Sequence, residues 1–172
     1  VRKGAKFETG MHFIGSAATG QTMDRIFNFL DIKDQIILSS LDTKAYNTIS
    51  LAGSEFSIPN GRENFYNAMT SYFPHESDAL RKYIDIVDRI SSASSLNSLT
   101  SSSRDLAANT EYQLRTINDV LDELFTDEMI KSVLVGDLSL YAAEYDKTPF
   151  SQHAFIMDFY NQSAYRIAGG SD

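Results

Sequence analysis

Tyr46-Asn47-Thr48-Ile49-Ser50-Leu51, then Gly53, then Glu55-Phe56-Ser57-Ile58, closed by Pro59-Asn60-Gly61, is the stretch on which the fold turns. β-Branched and aromatic residues recur at every second position on both sides of a glycine, so the spacing predicts a β-hairpin between Ala45 and Ile58. Immediately after it the period changes. Phe65, Met69, Tyr72 and Phe73 mark a helix stopped by Pro74, and Ala79, Tyr83, Ile86, Val87 and Ile90 mark another from about Ser77. A strand pair followed by consecutive helices is not the strand-helix-strand alternation of a doubly wound sheet. The expectation is an α+β chain with a small, mostly antiparallel sheet and several covering helices.

Upstream, Phe7, Thr9, Met11 and Phe13 alternate with Gly10, His12 and Ile14 in a strand-like run from Lys6 to Ile14, with Gly10 marking a bulge or a close backbone approach. Thr22, read as an N-cap, precedes Met23, Ile26, Phe27 and Leu30 at helical spacing. Downstream, Ser91 to Ser103 holds eight serines in thirteen positions and reads as a solvated, mobile loop rather than a lid. Thr116-Ile117-Asn118-Asp119 caps a helix carrying Val120, Leu121, Leu124 and Phe125. Thr126-Asp127-Glu128 caps the next, with Ile130, Val133 and Leu134, and Thr148-Pro149 turns into an aromatic-rich segment from Phe150 to Tyr160.

Composition narrows the functions. The chain has 172 residues, 42% of them hydrophobic, which suits one domain with a real core. A formal charge of -8 repels phosphate backbones, so nucleic acid is not an expected partner. There is no cysteine, hence no disulfide, no thiolate nucleophile and no Cys-ligated metal. His12, His75 and His153 are scattered without ligand spacing, so no metal site is expected. No apolar run approaches the roughly 20 residues that span a bilayer. No GxGxxG, GxxxxGK[ST] or GxSxG is present, and no catalytic residue can be named. The chain opens on Val1 rather than Met and enters Arg2-Lys3-Gly4 directly, which fits an internal piece of a longer protein.

The run Gly4-Ala5-Lys6-Phe7-Glu8-Thr9-Gly10-Met11-His12-Phe13-Ile14-Gly15 resembles the G-x-x-F-D-x-G-x-H-Y-x-G segment of the phytoene desaturase, carotenoid isomerase and retinol saturase group of FAD-dependent oxidoreductases. Glu8 stands for the usual Asp and Phe13 for the usual Tyr. Phe56-Ser57-Ile58-Pro59-Asn60-Gly61 is similar to that family's strand-Pro-x-Gly stretch, and Tyr72-Phe73-Pro74-His75-Glu76 to its F-P-x-E element. Thr148-Pro149-Phe150-Ser151-Gln152-His153-Ala154 resembles its T/P-P-x-x-S-x-x-A stretch. Tyr160, Tyr165 and Gly169-Gly170-Ser171 resemble its H-Y-x-x-G-x-x-Y-P-x-G-G-S segment, with Ile167-Ala168 in place of the Pro-containing pair. Each motif is weak alone; their order along nearly the whole chain is what persuades.

The resemblance implies the substrate-binding part of a two-domain flavoprotein, lying between two FAD-binding segments that are not in this sequence. Residues 1–15 would be a strand returning from the FAD-binding domain, 16–165 the substrate domain, and 166–172 a Gly-Gly turn leading back, with the two ends close together. The intact parent would hold FAD, with none expected in this segment alone, and would desaturate, saturate or isomerise a C=C bond of a long apolar molecule. Cofactor contacts are expected at Gly10, His12, Gly169, Gly170 and Ser171, and substrate contacts at Phe13, Tyr46, Phe56, His153 and Tyr160.

Plainer readings stay open beside these. The Gly10-His12 strand would equally be an ordinary core strand with a hydrogen-bonded histidine, and Gly169-Gly170-Ser171 a flexible end. Tyr46, Phe56, Phe150, Phe155, Phe159 and Tyr160 line a substrate tunnel or simply make core. Tyr141, Tyr145 and Asp146 read as surface or rim residues, and His75 as a solvated neighbour of a helix start. A non-catalytic lipid- or partner-binding helical domain and an amine-oxidase-like flavoenzyme segment are the alternatives. The location expected is cytoplasmic, with peripheral membrane contact of the parent left open, as is the oligomeric state.

Overall fold

The computed structural model describes residue 4, residues 12–94 and residues 106–170. Gly10, Ser171, the run before His12 and the serine-rich stretch beyond Ser94 lie outside the described residues. The order of elements is β1 (Ile14–Gly15), α1 (Thr22–Phe29), β2 (Leu38–Ser40), β3 (Asn47–Leu51), β4 (Ser54–Ile58), α2 (Arg62–Tyr72), α3 (Ser77–Ser92), α4 (Leu106–Leu114), α5 (Ile117–Leu124), α6 (Glu128–Leu134), α7 (Phe150–Gln162) and β5 (Ala164–Ile167). The chain is α+β, with a two-stranded and a three-stranded sheet, both antiparallel.

The hairpin forms as its alternation predicts. Asn47 faces Ile58 and Ile49 faces Phe56, and the turn places both Ala52 (φ 51°) and Gly53 (φ 81°) in the left-handed region. That is the two-residue turn whose twist matches the strands, and Ala52 bears about 1 kcal/mol of steric cost there. The three-stranded sheet has the order β1-β5-β2. Ile14 pairs with Tyr165 and Leu38 with Ile167, so the two ends of the described chain meet in one sheet. Neither β2 nor β5 carries a period that marks it in the sequence.

Helix starts match the sequence with one correction. Thr116 and Asp119 form a reciprocal capping box, and the Asp127 carboxylate accepts the Met129 amide at 2.7 Å. Thr22, expected as an N-cap, is instead the first residue of α1 and is buried; Gln21 occupies the cap position and its side-chain oxygen accepts the Ala18 amide at 3.0 Å. The serine-rich reading also needs correction at its start. Ser91 and Ser92 belong to α3, because the buried Ser91 hydroxyl finds an acceptor in Asp158 at 2.5 Å.

The main core joins Phe56 and Ile58 of the hairpin to Phe65 and Met69 of α2, Leu80, Tyr83 and Val87 of α3, Ile117 and Leu121 of α5, Ile130 and Leu134 of α6, and Phe150 and Ala154 of α7. A smaller cluster of Ile14, Ala17 and Phe27 lies with Tyr165 and Ile167 at the three-stranded sheet. Buried Asp158 ties three helices together. It accepts the Arg62 guanidinium from α2, Ser91 from α3 and, at 2.6 Å, Gln162 of its own helix, while Arg62 also reaches Asp88 at 2.6 Å. Such a charge is retained in a core only because each oxygen is paired.

Candidate functional site

Three of the five residues expected at the substrate meet. Phe13, just ahead of β1, packs edge-on against Tyr46, just ahead of β3, at 5.5 Å between centroids, and against Tyr160 of α7 at 4.7 Å. All three are half-buried. The β1–β5 pairing places Phe13 beside the end of α7, and the hairpin brings Tyr46 to it from the other side.

A carboxylate lies within electrostatic reach of this cluster. Asp137, in the turn after α6, accepts both of its hydrogen bonds from the Asn47 side-chain amide, at 2.8 and 2.9 Å. Burial pushes its carboxyl above the usual range, against the pull of Asn47. Burial and then the charge of Asp137 raise the phenols of Tyr46, Tyr141 and Tyr160.

The other two expected substrate residues lie in the core. Phe56 is 7% exposed, stacked on Phe73 at 5.5 Å and edge-on to Tyr72. His153 is fully buried; its Nδ1 lies 2.9 Å from the Tyr141 hydroxyl and its Nε2 2.9 Å from the Tyr83 hydroxyl. Burial holds its pKa down to about 3, so the imidazole is neutral. Phe150, offered as a tunnel residue, is also core, packed against Tyr83, Tyr112 and His153. Tyr141 is half-buried.

Sequence reading missed Asn47, Asp137, Tyr83 and Tyr141 as site residues. Asn47 had a signal, a polar side chain on the inward parity of the hairpin. Gly136-Asp137 after a helix is also a polar turn, but nothing local points it at Tyr46. A side chain at Gly136 would meet the Ile49 side chain at 2.6 Å, which would have to shift to admit it.

Of the expected cofactor residues, His12 is exposed, and Gly169 (φ 89°) and Gly170 (φ 101°) make a left-handed turn after β5 with open space beside Gly169. Among the described residues, no three of His, Asp and Glu converge as metal ligands, and no helix is long and apolar enough to cross a membrane. A separate open cleft of about 560 Å³ is lined by Gln21, Gly61, Arg62, Glu63, Asn64, Asp88, Ser92 and Gln162. None of the substrate or cofactor residues expected from sequence lines it.

No protein-family model and no solved structure matches the chain. Among curated proteins it is 28% identical to the all-trans-retinol 13,14-reductase of Rattus norvegicus over 98% of its own length, 25% to that of Homo sapiens over 99%, and 20% to that of Danio rerio over 98%. The chain spans 30% of the length of each of these relatives. It is thus similar, from end to end, to one segment of enzymes named for reducing the 13,14 double bond of a polyene alcohol.

Proposed function

We propose that this chain is the substrate-binding segment of a flavin-dependent oxidoreductase that reduces a C=C bond of a long apolar polyene. The single observation that carries the reading is similarity to retinol reductases over 98% of the chain. The half-buried Phe13, Tyr46 and Tyr160 supply what a polyene needs, flat apolar faces for its conjugated chain. Residues 1–15 and 166–172 would lead to and from a flavin domain, and the Ile14–Tyr165 pairing supports that arrangement. His12, Gly169 and Gly170 would face the flavin, with Gly10 and Ser171 beside them. When bound, the flavin supplies hydride; this chain orients the double bond and keeps water from it. Phe29 (86% exposed), Leu30 and Ile37 leave apolar surface around the end of α1, which supports peripheral contact of the parent with a membrane.

One observation favours a second reading. Three packed aromatic rings, two of them within electrostatic reach of the Asp137 carboxylate, also suit an ammonium group, as in an amine-oxidase-like enzyme. The deciding experiment supplies the full-length, flavin-loaded protein with all-trans-retinol and a reductant, and in parallel with a panel of amines and oxygen. Retinol gaining two hydrogens by mass spectrometry supports the polyene reading. Amine-dependent flavin reduction with no change in retinol would replace it.

A further inference from the structure

Arg62 Nε and Asn161 Oδ1 are buried atoms with no hydrogen-bond partner among the described residues. Both residues line one small cavity of about 10 Å³, whose other walls include Phe65, Tyr83, Val87 and Asp158. A buried donor or acceptor left unpaired loses the full cost of its desolvation, and a charged guanidinium loses more. Arg62 cannot turn away to relieve this, because both its terminal nitrogens are engaged, one by Asp158 and the other, at 2.6 Å, by Asp88. Asn161, in α7, is 4% exposed, so bulk solvent does not serve its oxygen.

We propose that this cavity is a binding site for one internal water molecule that joins α2 to α7. The Arg62 Nε–H donates to the water oxygen, and the water donates one hydrogen to Asn161 Oδ1. Asp158 Oδ1 accepts from Arg62 alone among the described residues and has a lone pair left for the second hydrogen. About three partners is the usual number for a buried water, and the volume is that of one molecule. Charge selects the same occupant. A cation would face the guanidinium and an anion the Asp158 carboxylate, whereas a neutral molecule that both donates and accepts satisfies every group. By holding Nε, the water fixes the plane of the guanidinium, and with it the pairing of Arg62 to Asp158 of α7 and Asp88 of α3. Arg62 also lines the open cleft, so motion of this one side chain is the route by which the water enters and leaves. The site does not depend on which substrate the parent takes.

Two measurements test this. A crystal structure of the full-length, flavin-loaded protein, at a resolution that shows ordered water, should hold one water within about 3.2 Å of both Arg62 Nε and Asn161 Oδ1. An empty cavity, or a direct Arg62 Nε–Asn161 Oδ1 hydrogen bond that closes it, overturns the proposal. In solution, deuteron relaxation dispersion of the same protein counts the waters that stay bound for longer than the protein takes to tumble. Asn161→Leu removes the acceptor and leaves an apolar wall, and should lower that count by one. An equal count in the folded variant overturns the proposal, and if the variant fails to fold the crystal structure decides by itself.

Discussion

Glu76 accepts the amide and the hydroxyl of Thr126 on a single carboxylate oxygen, each at 2.7 Å, and the same oxygen takes the Asp127 amide at 2.7 Å. The carboxylate thereby pins the start of α3 to the start of α6. Burial pushes its pKa up, but these hydrogen bonds outweigh it and hold the carboxyl below its usual value. Glu76→Gln should cost about 1–3 kcal/mol at pH 7. A carboxyl with a depressed folded pKa contributes stability above its unfolded pKa and loses it as pH falls. The gap between wild type and variant in urea unfolding should therefore narrow toward pH 3, and a constant gap would refute the assignment.

His153 sets a different pH window. Its folded value of about 3 lies below the unfolded value of about 6.5, so the unfolded chain binds the extra proton between them. Its contribution is complete above about pH 6.5 and is lost as pH falls, at up to about 1.4 kcal/mol per pH unit. His153→Gln should be less stable at pH 7 and have a shallower slope between about pH 6.5 and 4.5. Parallel curves for the two proteins would show that His153 is not the group titrating.

Gly15 and Gly169 are needed for different reasons. A Cβ on Gly15 would drive into the backbone carbonyl of Phe159, which cannot yield without moving α7. Gly169 has open space but a φ of 89°. Gly15→Ala should cost about 3 kcal/mol or more, and Gly169→Ala about 1 kcal/mol. Thermal melts of the two variants decide it, and the reverse order would be fatal to the β1–α7 contact.

The hairpin turn offers a gain instead of a loss. Ala52 sits at φ 51°, where Asn is better tolerated, and Asn-Gly is the preferred pair for this turn. Ala52→Asn should raise stability by about 0.5–1 kcal/mol, read as a higher melting temperature with unchanged circular dichroism. No gain would mean that the turn is relaxed differently in solution.

The sequence by itself determined the hairpin, the α2 to α3 succession and the Thr116 and Asp127 caps, because each rests on a local period or a cap within a few residues. It also brought forward Phe13, Tyr46 and Tyr160, although by resemblance and not by spacing. Tertiary structure decided the rest. Strands β2 and β5 are short and lie at the edge of a small core, so only their partners make them strands. Whether Ser91 was loop or helix depended on Asp158, sixty-seven positions away. Asp137 became part of a site through Asn47, ninety positions away, and His153 left the substrate wall for the core because Tyr83 and Tyr141 satisfy both its nitrogens. A local pattern reports which face of an element is apolar; which polar group will find its partner there is fixed only when distant segments pack, since burial without that partner is what the fold cannot sustain.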